Sequence, residues 1–99
     1  MPVRAATYAD RETAQWATQQ VVNLNEQVIH HWLARSGRQR LVIEAAWPTR
    51  PDPVGLVQLR AMMLAGLDAV ETRAARVILR RDGTAPQGFV VQSTFPVYL

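Results

Sequence analysis

The sequence predicts an α+β domain in which one long N-terminal helix, kinked along its length, packs on an antiparallel sheet of about four strands. Three observations lead there. Residues 10–35 contain neither Gly nor Pro and are rich in helix formers, with apolar side chains returning every third or fourth position. Beyond Gly37 the composition changes to short β-branched runs separated by Pro and Gly. Near the end, Asp82-Gly83 and Pro86-Gln87-Gly88 bracket a turn between two such runs, the signature of a hairpin.

The helix is expected over residues 10–36. Ala14, Ala17, Val21, Leu24, Val28 and Trp32 fall on one stripe, with Leu33 extending it. Thr7 and Asp10 both suit the N-cap, Glu12 complements the dipole, and Arg35-Ser36-Gly37 supplies a cationic last turn and a stop. An unbroken helix of that length would approach about 40 Å at 1.5 Å per residue, so a kink is expected near Asn23 or Asn25. A first strand follows at residues 41–47 and stops at Pro48. Three prolines within residues 48–53 make a rigid connector. A second strand is expected at residues 56–60. Residues 61–67 suit a helix by composition and a hairpin by length and Gly66, and the hairpin is the expectation. Residues 74–80 and 89–92 form the two arms of the final hairpin. Residues 1–99 are read as a single domain, helical at 10–36 and β-rich at 39–95.

Composition narrows the chemistry. Hydrophobic residues make up 48% of the 99 and charged residues 19%, which suits an ordered core. No apolar run approaches the roughly 20 residues of a membrane span, and Met1-Pro2-Val3-Arg4 leads into no signal-peptide core. With no cysteine, disulfides, thiol nucleophiles and thiolate metal sites are excluded, and no cofactor is expected. The net charge of +3 comes from eleven arginines, without one lysine, against eight carboxylates. Arginine's planar fork suits phosphate, but a GC-rich coding sequence accounts for the same bias, so the charge permits an RNA partner without requiring one. The isolated glycines build neither a P-loop nor a dinucleotide fingerprint.

His30 and His31 diverge by about 100 degrees on a helix and cannot share a site unaided. Glu44 lacks an identifiable partner acid and reads as solvated or ion-paired. Trp16, Trp32 and Trp47 read as packing residues. Ser93, Thr94, Phe95 and Tyr98 close the chain. Their hydroxyls, with Arg80 or Arg81 on the partner strand, could hold a phosphate, and an ordinary strand end fits the same residues.

One ordered series carries more information than its parts. Ala6-Thr7-Tyr8-Ala9-Asp10, Thr13-Ala14, Trp32-Leu33, Leu41-Val42-Ile43-Glu44, Pro53-Val54-Gly55, the segment 76–82 and the closing Phe89-Val90-Val91-Gln92-Ser93-Thr94-Phe95-Pro96 resemble the ribonuclease-A-like toxin domain of bacteria. That domain stands at the C-termini of contact-dependent growth inhibition proteins (CdiA) and other polymorphic toxins, and the resemblance spans nearly the whole chain.

The resemblance implies a kidney-shaped α+β domain that cleaves RNA, usually tRNA, without metal and is neutralised by a cognate immunity protein. It implies Ser93 at the catalytic hydroxyl position, and the expected substrate contacts beside it are Arg80, Arg81, Thr94 and Phe95. Family members carry a His and a basic residue ahead of the Thr-Tyr-Ala-Asp region, and these 99 residues do not include that segment. Phe95 stands where the family has Tyr. The expectation is a degenerate or incomplete nuclease acting in the cytoplasm of the producing or target bacterium, with His30 or His31 as poor substitutes for the missing imidazole. The alternative is a non-catalytic interaction or immunity-type protein derived from the toxin fold, for which a homo-oligomer stays open.

Overall fold

The computed structural model describes the backbone of residues 3–99 and side chains from Ala5 onward. Six strands and three helices follow in the order β1 (Val3–Tyr8), α1 (Arg11–Leu24), α2 (Glu26–Ala34), β2 (Arg40–Ala46), β3 (Gly55–Leu59), α3 (Arg60–Leu64), β4 (Val70–Thr72), β5 (Ala74–Arg81) and β6 (Phe89–Pro96). The α+β class is as expected; three details differ. The strands form two three-stranded antiparallel sheets, β1-β3-β4 and β2-β5-β6, in place of one sheet of about four. The helix of residues 10–36 is two helices, broken at Asn25, one of the two positions where a kink was expected. Residues 60–64 are helical where a hairpin was expected.

The break at Asn25 has a local cause. Its side-chain amide donates to the Val21 carbonyl and, across to β2, to the Glu44 carbonyl at 3.0 Å. An Asx side chain that bonds backbone competes with the helical ladder. Asp10 caps α1, its carboxylate accepting from the Thr13 amide at 2.7 Å, which holds its pKa below the ordinary carboxylate value.

Both helices lie on one face of the β2-β5-β6 sheet. Ala17, Val21, Ile29 and Trp32 pack there against Ile43, Ala75, Val77 and Leu79, all buried. Burying each larger side chain contributes about 1.5–3 kcal/mol, so this layer dominates stability. Helix spacing predicts Val28 and Leu24 on the same stripe; Leu24 ends α1 and Val28 lies beyond the break at Asn25, and both are exposed.

The chain passes between the sheets at Arg73, separating β4 from β5. Arg73 donates through Nε to the Arg50 carbonyl at 2.7 Å and through Nη2 to Pro51 at 2.9 Å, which pins the proline-rich connector. Gly55 at the start of β3 is where backbones crowd: a Cβ there would sit 2.3 Å from the Thr7 carbonyl oxygen. Among the described residues, no helix is long and apolar enough to cross a membrane.

Candidate functional site

The β5–β6 hairpin carries the residues singled out from the sequence. Its turn is closed by the Asp82 amide donating to the Gly88 carbonyl at 3.0 Å, with Gly88 in the left-handed region at φ 89°. Ile78 pairs with Ser93 and Leu79 with Val91, so Gln92 is an extra residue in the edge strand. That bulge sets which β6 side chains share a face with which β5 side chains.

Strand alternation and register sort the hairpin into two faces. The face turned away from the helices presents three rows: Arg40, Arg80 and Val90; then Val42, Ile78 and Ser93; then Glu44, Arg76 and Phe95. No helix packs on it. Val42 is 56% exposed, while Ser93 and Phe95 are half-buried. Glu44 accepts from Arg76 Nε at 2.8 Å, an exposed ion pair in keeping with the ion-paired expectation. Arg40 and Arg80 stand directly opposite one another, both exposed.

The helix-facing side holds Thr94. Tyr8 Oη lies 2.7 Å from Thr94 Oγ1, which lies 2.8 Å from Thr18 Oγ1, which donates to the Ala14 carbonyl at 2.7 Å. Each hydroxyl has one proton, so the direction is determined. Thr18 has given its proton to Ala14 and must accept from Thr94, and Thr94 must therefore accept from Tyr8. This chain ties β1, α1 and β6 together. Burial raises the Tyr8 phenol above its ordinary pKa.

Arg81 also faces the helices. Its guanidinium donates to the carbonyls of Trp32, Arg35 and Arg38, the last through Nε at 2.9 Å, and lies 4.9 Å from the Trp32 ring centroid. It caps the carbonyl end of α2, where a cation is favoured. His31 lines a cavity of about 540 Å³ with Arg35, Arg38 and Arg81, and His30 lines a groove beside Leu33 and Phe89. Both imidazoles belong to α2, across the sheet from Ser93.

Of the residues named from the sequence, Ser93, Phe95 and Arg80 thus share the open face, while Thr94 and Arg81 lie behind it. Tyr8, Thr18 and Arg40 were not singled out. Tyr8 and Thr18 meet Thr94 across 86 and 76 residues of chain, a separation with no local signal. Arg40 acquires meaning only through its register with Arg80.

The family described as "Bacterial CdiA-CT RNAse A domain" matches residues 2–96. Among solved structures, the chain is similar to a CdiA-CT/CdiI complex from Y. kristensenii 33638, with a TM-score of 0.82 and 24% identity over 95% of this chain and 77% of that one. No curated protein matches. A likeness at that identity supports the fold, and the family match over almost the whole length supports membership: this chain belongs to the bacterial CdiA-CT RNase A domain family.

Proposed function

We propose that the open face of the β2-β5-β6 sheet is the RNA-cleaving face of a ribonuclease toxin domain, and that the 99 residues supply its binding and charge-stabilising parts rather than its proton-transfer pair. Cleavage of this type lets the ribose 2′-oxygen attack phosphorus, forming a P–O2′ bond and expelling the 5′-oxygen. It needs a base for the 2′-proton, an acid for the leaving oxygen and donors for the charge on the phosphorane. Ser93 donates one hydrogen bond to a non-bridging oxygen, Arg80 meets an adjacent phosphate, and Phe95 packs against the substrate. Thr94 and Arg81 position β6 and β5 from behind. The observation that carries this reading is the half-buried Ser93 hydroxyl on an uncovered face shared with Arg80, in a chain of this family.

The same face supports a second reading. Because both imidazoles lie across the sheet, no imidazole among the described residues serves Ser93. In that reading the working role of the face is an interaction. The solved relative is a complex of CdiA-CT with CdiI, and by analogy a cognate immunity protein is the proposed partner, with the cytoplasm of a bacterium as the place of action. A tRNA cleavage assay at micromolar protein separates the two. Cleavage that Ser93→Ala reduces at least tenfold supports the nuclease. Equal cleavage by the variant ends the role given to Ser93, and none by either protein favours the interaction reading.

A further inference from the structure

The positive charge is concentrated in one place. Arg35, Arg38, Arg40, Arg80 and Arg81 sit around the end of α2, the start of β2 and the end of β5, at the end of the β2-β5-β6 sheet remote from β4. Within residues 35–40 and 80–82 Asp82 is the one carboxylate; its oxygen is engaged by the amide and hydroxyl of Thr84, and it also feels the charge of Arg80. The rest of the chain has six arginines against seven carboxylates, so the whole surplus of positive charge lies at this end. Among the described residues, the single contact ion pair is Glu44–Arg76; Arg35, Arg38, Arg40 and Arg80 make none, and Arg80 acts on Asp82 only at longer range.

Two features of this end are costly unless an anion is present. Like charges directly opposite on neighbouring strands repel, and Arg40 and Arg80 are registered in that way. The adjoining cavity of about 540 Å³ is lined by Arg35, Arg38, Arg81 and His31 without one acidic residue. The Arg40–Arg80 row shares the face of Ser93, and the cavity lies around the sheet end, on the helix side. Along β5, Arg80 is two residues beyond Ile78, the partner of Ser93, which places the Arg40–Arg80 row about 6.6 Å further along the sheet. That step is on the scale of one nucleotide of an extended strand.

Resting on the reading of Ser93 above, we infer that Arg35, Arg38, Arg40 and Arg80 form a phosphate track that grips single-stranded RNA on one side of the cleavage point. The Arg40–Arg80 pair takes the first phosphate beyond Ser93, and Arg38 and Arg35 take the ones that follow around the sheet end. An RNA backbone fits better than an acidic protein surface. Four unpaired guanidinium forks in sequence suit regularly spaced phosphates, each able to accept two parallel hydrogen bonds.

The test is binding, not cleavage. A fluorescent 2′-O-methyl RNA oligonucleotide, which lacks the attacking hydroxyl, is titrated by anisotropy between 50 and 200 mM salt against the full chain. Each phosphate contact on a single strand contributes about 0.7 to the slope of log affinity against log salt. The double variant Arg35→Gln/Arg38→Gln, which removes two phosphate contacts, is therefore expected to lower that slope by about 1.4, so that it loses about sevenfold less affinity than the parent over this salt range. Neither side chain makes a hydrogen bond in the fold, and thermal melts confirm that the variant is folded. Ser93→Ala and Arg60→Gln, the latter on α3, should keep the parent slope, so loss of cleavage and loss of the track are separable. An unchanged slope in the double variant, an equal drop in Arg60→Gln, or no RNA binding by the parent at 50 mM salt overturns the inference. Unchanged RNA binding with lost binding to a purified immunity protein also overturns it, assigning the patch to that protein.

Discussion

Replacing Thr94 with valine keeps the shape of the side chain and removes the hub of the hydroxyl chain. The consequence is asymmetric. Thr18 keeps its bond to the Ala14 carbonyl, while Tyr8 loses the acceptor for its proton. An orphaned buried donor costs about 1–3 kcal/mol, and Tyr8 is only half-buried, so the lower part of that range applies, about 1–2 kcal/mol. Tyr8→Phe removes the donor instead and leaves Thr94 donating to Thr18, for about 0.5–1.5 kcal/mol. In a domain of this size about 1 kcal/mol moves the melting temperature by about 4–8 °C, so Thr94→Val is expected to melt about 5–10 °C below the parent. The sharper measurement is the double-mutant cycle by urea denaturation. Both single variants delete the same Tyr8–Thr94 bond, so the pair should cost about 1 kcal/mol less than the sum. Full additivity, or a Thr94→Val loss below about 0.3 kcal/mol, would refute the directed chain and leave Thr94 as an ordinary strand residue.

Three further outcomes are expected. Gly55→Ala forces a Cβ to 2.3 Å from the Thr7 carbonyl oxygen and 2.9 Å from Pro96; it should cost at least about 1–3 kcal/mol by denaturation, whereas Gly83→Ala, with nothing within 4 Å, should stay within about 0.5 kcal/mol. Arg81→Gln gives up carbonyl contacts at the end of α2 and the stack on Trp32, for about 1–3 kcal/mol with a changed near-ultraviolet Trp signal, while Arg80→Gln should leave stability within about 0.5 kcal/mol. The Tyr8 phenol is raised above 10.0 by burial, so above that pH the unfolded chain loses its proton first. Stability should therefore fall as pH rises past 10.0, and Tyr8→Phe should flatten that part of the pH-stability curve; an identical decline in both proteins would contradict it.

Much of this fold is legible in the sequence because it is local. The stripe from Ala14 to Val21, the stop after Arg35, the proline-rich connector and the final hairpin all follow from spacing, caps and turn residues. What was not legible is non-local. The strand β1 is built from Val-Arg-Ala-Ala-Thr-Tyr, a weak β composition, and exists because its backbone pairs with β3 about fifty residues later. The three residues of β4 are too few for any periodic signal. Composition suits a helix over residues 61–67 while Gly66 argues for a hairpin; the structure has the helix at Arg60–Leu64, with Gly66 just beyond it.

The candidate site turns on parity, the simplest geometric fact about a strand. Ser93 and Thr94 are neighbours with similar hydroxyls, and Arg80 and Arg81 are neighbours with identical charges, so composition cannot separate the members of either pair. Alternation does. One member of each pair faces the uncovered sheet, and the other is bound into the fold, Thr94 between Tyr8 and Thr18 and Arg81 under the end of α2. Which member faces out is set by the extra residue Gln92 on β6 and by the buried partners of β5. Taking Gln92 into the ladder opposite Ile78 would shift the rest of β6 by one residue and exchange the faces of Ser93 and Thr94. The hydroxyl chain opposes that slip, because it holds Thr94 to β1 and α1 at once. Stability at Thr94 and the proposed chemistry at Ser93 are therefore coupled through one register: a variant that breaks the chain should raise the population of slipped hairpins, and Ser93-dependent cleavage, where it exists, should fall with the folded register rather than with total folded protein.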